Sequence, residues 1–412
     1  MRRNRYIGGA LLAAASVLVG PADARAQPAN GTIPSTDGSG GGFQTPRQSA
    51  VPSYLPTGQP GDAGFYFGME FVLLAQTRAI GHQSIAKYGF YDLTGEVNGT
   101  PGAIVGSGRD AINTNMFRNG PTFQPGFNVE VGYRFDDGTK IFANYMQLYD
   151  AHYSVGASLV PPGYAVPLQN GQITLADSFV SSPVYSFNSQ FAGPTNKVAG
   201  VPDSAVYGIW NAATQMDIKF TQRFQQAQAG GRVPVLMTDY SRVYGTGGMQ
   251  FSWFFERFYW RAVSADQNGN VNQTTAANYT NTLSQRMYGP FVGCGHEIFV
   301  ANQFSLSCDL TGALLLNVDK QRAKYKLGDN TIQSKWGNEE FHITPNANIA
   351  VNAWWYPIEG VQMRVGYQAM SFYNTQYMIT PVGFNYGNIA PQYEFKAFRL
   401  LHGFNVGVGF FF

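Results

Sequence analysis

After residue 63 the chain alternates, one position in two, between apolar side chains and small or polar ones, and turn-type clusters punctuate the alternation. A period of two is the signature of a strand, whose successive side chains point to opposite faces. From Phe65 to Ala75 one face holds Phe65, Phe67, Met69, Phe71 and Leu73, while Gly68 and Glu70 fall on the other. Phe127, Val129, Val131, Tyr133 and Phe135 repeat this against Asn128, Glu130 and Arg134. Asp136-Asp137-Gly138 then leads into Lys140 to Tyr149, and Asp-Gly between two alternating runs signals a hairpin. Gln215 to Thr221 alternates with Met216, Ile218 and Phe220 expected outward, and Met249 to Trp260 is an aromatic-heavy strand with Trp253, Phe255, Tyr259 and Trp260. A second hairpin runs from about Leu283 to Val318 around Ala301-Asn302-Gln303, facing Gly293, Gly295 and Glu297 against Ser307, Asp309 and Thr311. A third pairs Phe341 to Tyr356 with Val361 to Tyr373 across Pro357-Ile358-Glu359-Gly360. In the last eight residues Val406, Val408, Phe410 and Phe412 share a face opposite Asn405, Gly407 and Gly409, with Phe411 as the bulky exception.

One apolar face and one small or polar face suit a strand with lipid outside and a polar lumen inside. A soluble sandwich would accommodate the last strand alone. Beyond the N-terminal segment, no stretch reaches the ~20 apolar residues of a spanning helix. An exported chain of this kind enters a membrane only as a closed barrel, because only helices and barrels satisfy their backbone there. The expectation is all-β: a transmembrane antiparallel up-and-down β-barrel over residues 63–412, with about ten strands and long surface loops. Short connections at 136–138, 301–303 and 357–360 alternate with long ones near 79–125, 151–210, 261–282, 319–337 and 375–396. The stretch 223–246 breaks that alternation and leaves twelve strands open. Trp354, Trp355 and Tyr356, just before a short turn, fit an interfacial aromatic girdle.

Met1 to Ala26 reads as a secretory signal peptide: Arg2, Arg3 and Arg5, a short apolar core, then Ala24-Arg25-Ala26 as cleavage site. Gln27 to Asp62, rich in Gly, Pro, Ser, Thr and Gln, reads as a flexible periplasmic linker. Composition agrees with a barrel. Only 13% of residues are charged, 15% are aromatic and 48 are glycine, yet mean hydropathy is −0.17. A soluble domain normally carries about 25% charged residues. The net charge of +2 gives no argument for nucleic acid.

The inward charges Glu70, Glu130, Arg134, Glu297, Asp309 and Arg364 are the candidate functional residues. In a pore they would line a constriction and set ion preference; in a narrow barrel they would form a salt-bridged plug. Cys294 and Cys308 flank a short turn, so they are expected near each other on neighbouring strands. A disulfide and a pair of small lipid-facing residues both stay open. The five histidines lie in no metal or nucleophile motif. His82 and His152 at loop bases, with Asp92, Asp150 or Asp309, are the only hydrolytic candidates, weaker than the reading of solvated loop residues. No glycine-rich phosphate loop opens a helix, so no cofactor or metal is expected.

Several phrases, in order, resemble the beta-barrel porin family found as many paralogues in planctomycete-type bacteria. They are the aromatic first strand with Glu70, Gly126-Phe127 followed by Gly132-Tyr133 and an Asp, Arg286-Met-Tyr-Gly-Pro290, Val365 to Tyr373, and His402-Gly-Phe-Asn with Gly407. Together they cover most of residues 64–412; the 151–210 insertion departs from the pattern. Asn405, Gly407, Phe410 and Phe412 also resemble the C-terminal signal read by the barrel assembly machinery. The resemblance implies an outer-membrane barrel. Three functional expectations follow: passive diffusion of small solutes or ions through a polar lumen; a non-conducting structural or adhesive barrel whose long loops meet surface ligands; and, least favoured, a barrel hydrolase. The chain is expected not to be an enzyme, with outer-membrane lipid and the assembly machinery as partners.

Overall fold

The computed structural model describes residues 63–412 apart from 93–94, 96–98, 119–121, 159–165, 168–172, 175–178, 183–209, 212, 239, 264–275, 302, 331–332 and 384–390. The expected signal peptide and linker lie outside the described residues.

Ten antiparallel wall strands form one closed ring. They are β1 (Gly64–Gln76), β2 (Phe123–Arg134), β3 (Lys140–Leu148, resuming as Ala151–Ser158), β4 (Gln215–Met237), β5 (Ser241–Val263), β6 (Ala277–Ala301), β7 (Phe304–Leu327), β8 (Gln333–Ile358), β9 (Val361–Thr380) and β10 (Gln392–Phe411). Each pairs with its sequence neighbour, and β10 closes on β1 from Tyr66↔Phe411 to Gln76↔Leu401. Around the lower wall, closure leaves no strand edge among the described residues, which is what a backbone in lipid requires; higher up, Ala151–Ser158 pairs with β4 alone.

The stretch 223–246 is no loop. β4 and β5 pair continuously from Gln215↔Val263 to Met237↔Arg242, and their connection is short. The wall therefore has ten strands, not twelve, and the β2–β3, β4–β5, β6–β7 and β8–β9 turns all lie at one end. Gln225 to Gly231 looks loop-like in one dimension because its inward positions, Gln226, Gln228 and Gly230, are residue types that the lumen accepts. Other connections are also shorter than expected: β7 runs to Leu327 and β8 restarts at Gln333, so most of 319–337 is strand. At ~3.3 Å per residue and a tilt near 40°, the 24 residues of β7 give roughly 60 Å of height. The apolar band of such barrels is only about 25 Å tall. The walls thus stand well above a bilayer.

The outer surface of the lower wall is an apolar belt. Phe304, Leu306, Leu310, Leu314 and Leu316 project from β7, and Phe341, Ile343, Ile349 and Val351 from β8, all exposed. A continuous exposed band of this kind needs lipid rather than water around it. Aromatic pairs rim its turn end, among them Phe65 with Tyr133 (4.9 Å between centroids) and Phe304 with Trp355 (6.4 Å). Of the expected trio only Trp355 is on this rim. Trp354 bonds Ser307 and Tyr356 is buried against Glu297, because alternation turns every second residue inward.

Above the belt the wall inverts. Met216, Ile218 and Phe220, expected outward, are fully buried inside the ring. Periodicity separates two faces but does not say which one is wet. In the protruding wall the outer face meets water, and the inner face packs on the long connections. Ile85, Ile112, Phe117, Val180 and Trp210 from those connections join Phe220, Phe258, Trp260 and Tyr325 in one buried cluster. Trp210 lies on Trp260 at 3.7 Å between centroids. Asn211 bonds both the backbone nitrogen (2.8 Å) and oxygen (2.7 Å) of Tyr91. Parts of the stretches read as surface loops are therefore a plug in the barrel mouth.

Candidate functional site

The lumen is built by the inward residue of each strand, and its lower third gathers charge. All six sequence candidates point there. Glu70 and Arg364, on β1 and β9, form an ion pair, and Asn128 Nδ2 donates to Glu70 Oε2 at 3.2 Å. Glu297 on β6 pairs with Arg242 and accepts from Ser305 (2.6 Å) and Tyr356 (3.0 Å). Asp309 on β7 accepts from Tyr244 at 2.5 Å, with Arg232 at 3.8 Å. Arg134 is 1% exposed at the end of β2, and Glu130 shares a cavity wall with Lys140, Arg232 and Arg364. Three of the acids, Glu130, Glu297 and Asp309, meet cations that are not among the sequence candidates: Lys140, Arg232 and Arg242. Arg232 and Arg242 sit in the stretch 223–246, where the alternation is ambiguous and does not say which side chains face inward.

Glycines let lumenal rings lie flat against the wall. Tyr66 registers with Gly132 and Tyr244 with Gly295. A Cβ on Gly132 would stand 2.5 Å from the Tyr66 ring, and one on Gly295 2.2 Å from the Tyr244 ring. Two connected spaces remain between these groups. The lower, about 700 Å³, reaches Gly138 in the β2–β3 turn. The upper, about 910 Å³, is lined mainly by amides and small polar groups such as Asn144, Gln228, Asn348 and Asn352. Glu130, Arg232, Asp309 and Arg364 line both. Space and unpaired polar capacity together make this a wet vestibule.

Higher up the character changes. Phe224, Phe254 and Phe372 are fully buried with Leu74, Met287 and Leu315. Phe372, from β9, sits 5.9 Å from Phe224 and 5.0 Å from Phe254 on β4 and β5. Just above, Glu256 and Arg399 form a bidentate pair at 2.6 and 2.9 Å, both 0% exposed. They lie on β5 and β10, five places apart round the ring of ten. The pair crosses the lumen. Gln222 also donates to Glu256 (2.9 Å), while Arg399 donates to Thr375 (3.1 Å) and the Gln376 carbonyl (2.7 Å). Two dry charges persist only with such saturated geometry. Gln285, on β6, donates to the Gln376 carbonyl at 2.9 Å. The polar lumen expected to run through the barrel is interrupted at this level. The signal for Glu256 and Arg399 is a charge at an inward position of an aromatic or apolar run, Phe254-Phe255-Glu256-Arg257-Phe258 and Phe398-Arg399-Leu400, but the sequence gives no sign that they meet.

The remaining candidates fall outside the lumen or at its seam. Cys294 and Cys308 are free and exposed on the outer face. Cys294 registers with Leu310 and Cys308 with His296, so the two are diagonal rather than opposite; the register is the expected one, with Gly293, Gly295 and Glu297 opposite Thr311, Asp309 and Ser307. His152 Nδ1 lies 3.2 Å from Thr221 Oγ1, and Asp150 is held by Arg223 at 2.6 and 2.7 Å. Asp92 is buried and accepts from the Gly95 nitrogen at 3.0 Å, while His82 is exposed. Asn405 points inward and bonds Asn352 at 3.3 Å. Gly407 is required by space, since a Cβ there would lie 2.4 Å from Glu70 Cγ. Phe410 and Phe412 face outward, 39% and 78% exposed.

A closed ring, short turns at one end and an outward apolar belt define a β-barrel of the outer-membrane class. No family model matches the chain, and no curated protein matches it. Among solved structures, the outer membrane protease OmpT of Escherichia coli aligns over 86% of this chain and 97% of its own, at 10% identity and a TM-score of 0.40. The toluene transporter TodX of P. putida aligns over 85% and 90%, at 8% identity and a TM-score of 0.26. A FadL homologue of P. aeruginosa aligns over 88% and 94%, at 8% identity and a TM-score of 0.22. At such scores these likenesses carry no argument about this chain, and the class rests on the ring and its belt.

Proposed function

We propose that the chain is a bacterial outer-membrane barrel with a closed lumen, serving as a structural, surface-presenting protein rather than a diffusion pore. The observation that carries this reading is the Glu256–Arg399 pair, dry and spanning opposite walls above Phe254 and Phe372. The long connections packed into the mouth support it. On this reading the turns and termini face the periplasm and the long connections face outward. The chain is proposed to act without catalysis; Asp150 and His152 are engaged by Arg223 and Thr221 on the outer wall. Membership in the planctomycete-type porin family is part of the same proposal.

One observation favours a second reading, porin-like passage of small solutes. The amide-lined vestibule of about 910 Å³ lies directly beneath the closure, so a barrel that broke the Glu256–Arg399 pair would gain a polar path. Planar-bilayer conductance of inserted, heat-modifiable protein decides between them. The closed-lumen reading expects a silent bilayer. Discrete steps, altered by Glu130→Gln or Arg364→Gln, would replace it with the porin-like one.

A further inference from the structure

The outer face of β7 reads, from the turn end upward, as apolar positions through Leu314, Leu316 and Val318, followed by Lys320, Arg322, Lys324 and Lys326. Four cations in a row occupy alternate positions of one strand, only ~7 Å apart. Lys324 registers directly with Lys335 of β8, and like charges opposite each other across a sheet destabilise it. Glu339 approaches Lys320 at 3.5 Å. No carboxylate pairs with Arg322, Lys324 or Lys326 among the described residues. Such crowding needs an anion from elsewhere.

The neighbouring strands shape a place for one. On β6 the outward residues Asn278, Thr280, Thr282 and Ser284 register with Lys326, Lys324, Arg322 and Lys320. On their other side they register with Arg261, Tyr259, Arg257 and Phe255 of β5. Short hydroxyl and amide side chains thus floor a trough between two taller walls, about 10 Å apart across two strand spacings. Asp217, opposite Arg261, is the acid at its upper edge. At its foot Arg286 stacks over Trp253 at 5.7 Å, and Trp253 donates to Ser284 at 2.9 Å. The trough ends where the apolar belt begins. An amphiphile with a phosphate head and acyl tails matches that sequence of surfaces: head among cations and hydroxyls, tails down the belt past Trp253.

We propose that this face of β5–β7 binds net-anionic, phosphate-bearing lipid headgroups of the outer leaflet. The inference rests on the membrane reading above, with the long connections outward. It is independent of whether the lumen conducts.

The test uses full-length protein reconstituted in bilayers of brominated phosphatidylglycerol mixed with phosphatidylcholine, and of the converse mixture. A Trp355→Phe background leaves Trp253 as the outward tryptophan, since Trp210, Trp260, Trp336 and Trp354 face the interior. Quenching of Trp253 then reports which lipid occupies the trough. The expected result is preferential quenching by brominated phosphatidylglycerol, falling roughly fivefold per cation removed and erased by combining Arg322→Gln, Lys324→Gln and Lys326→Gln. Excess inorganic phosphate should leave the preference intact. Equal quenching by the two lipids would overturn the proposal. A preference abolished by inorganic phosphate would overturn it too, assigning the site to free anions. Quenching by neither lipid would overturn the membrane reading itself, together with the site.

Discussion

The lower and upper halves of this lumen share the same ten strands and the same alternation, yet they solve opposite problems. Below, Glu70, Glu297 and Asp309 each meet a cation around open space. Above, the Glu256–Arg399 pair is sealed among phenylalanines and a plug, and the buried Asp319 carboxyl lies 3.3 Å from His342. Charge beside water is inexpensive and tolerant, because solvent completes what the partners leave undone. Charge in a dry layer is stable only if every donor and acceptor is matched. The two halves should therefore respond very differently to the loss of one residue.

The largest effect is expected from Arg399→Ala, which leaves Glu256 buried without its cation and should cost about 3–5 kcal/mol. Urea titration of the detergent-folded protein reads this directly. Replacing both partners, Glu256→Leu with Arg399→Met, should recover most of that loss; a double variant as unstable as the single would break the comparison. Phe254→Ala, in the same closed layer, should cost about 3–5 kcal/mol through lost contacts and the cavity left behind. In the wet half, Glu297→Ala removes the acceptor of Arg242, Ser305 and Tyr356. Water can reach the stranded groups, so about 1.5–3 kcal/mol is expected.

The smallest effect lies on the outer wall above the belt. Hydrogen bonding from the Arg223 guanidinium holds the Asp150 carboxyl below its usual range. A depressed folded-state value stabilises above the unfolded value near 3.9 and loses that contribution as pH falls through the folded value. Both side chains are partly exposed, at 35% and 27%, so screening should keep the gain under about 1 kcal/mol. Wild type and Asp150→Asn should differ slightly in urea midpoint at pH 6 and converge in strong acid.

Much of this architecture was legible because lipid makes alternation strict. Phe127 to Arg134 and Val361 to Tyr373 were readable, and so were the inward positions of Glu70, Glu130, Arg134, Glu297, Asp309 and Arg364. Where lipid ends, the rule loses its sign. Met216, Ile218 and Phe220 alternate as cleanly as a belt strand but face a plug, since what covers them arrives from connections distant in sequence. Gln226, Gln228 and Gly230 leave their strand ambiguous for a related reason: residues typical of loops are also those a wet, crowded lumen accepts. The meeting of Glu256 with Arg399 is a fact of ring closure, and strand periodicity holds no information about it.

With the lumen closed at Glu256 and Arg399, the vestibule is entered from the turn end and sealed toward the long connections. A single cysteine tests it most directly. Asn348→Cys, on the wall of the vestibule, is made in a Cys294→Ser, Cys308→Ser background, with Asp329→Cys in the β7–β8 connection as the outside control. A sulfonated maleimide dye too large to cross the outer membrane is added to intact cells, then to cells whose periplasm has been opened. The control is expected to label at once and Asn348→Cys only after opening. Labelling of Asn348→Cys in intact cells at the rate of the control would contradict it.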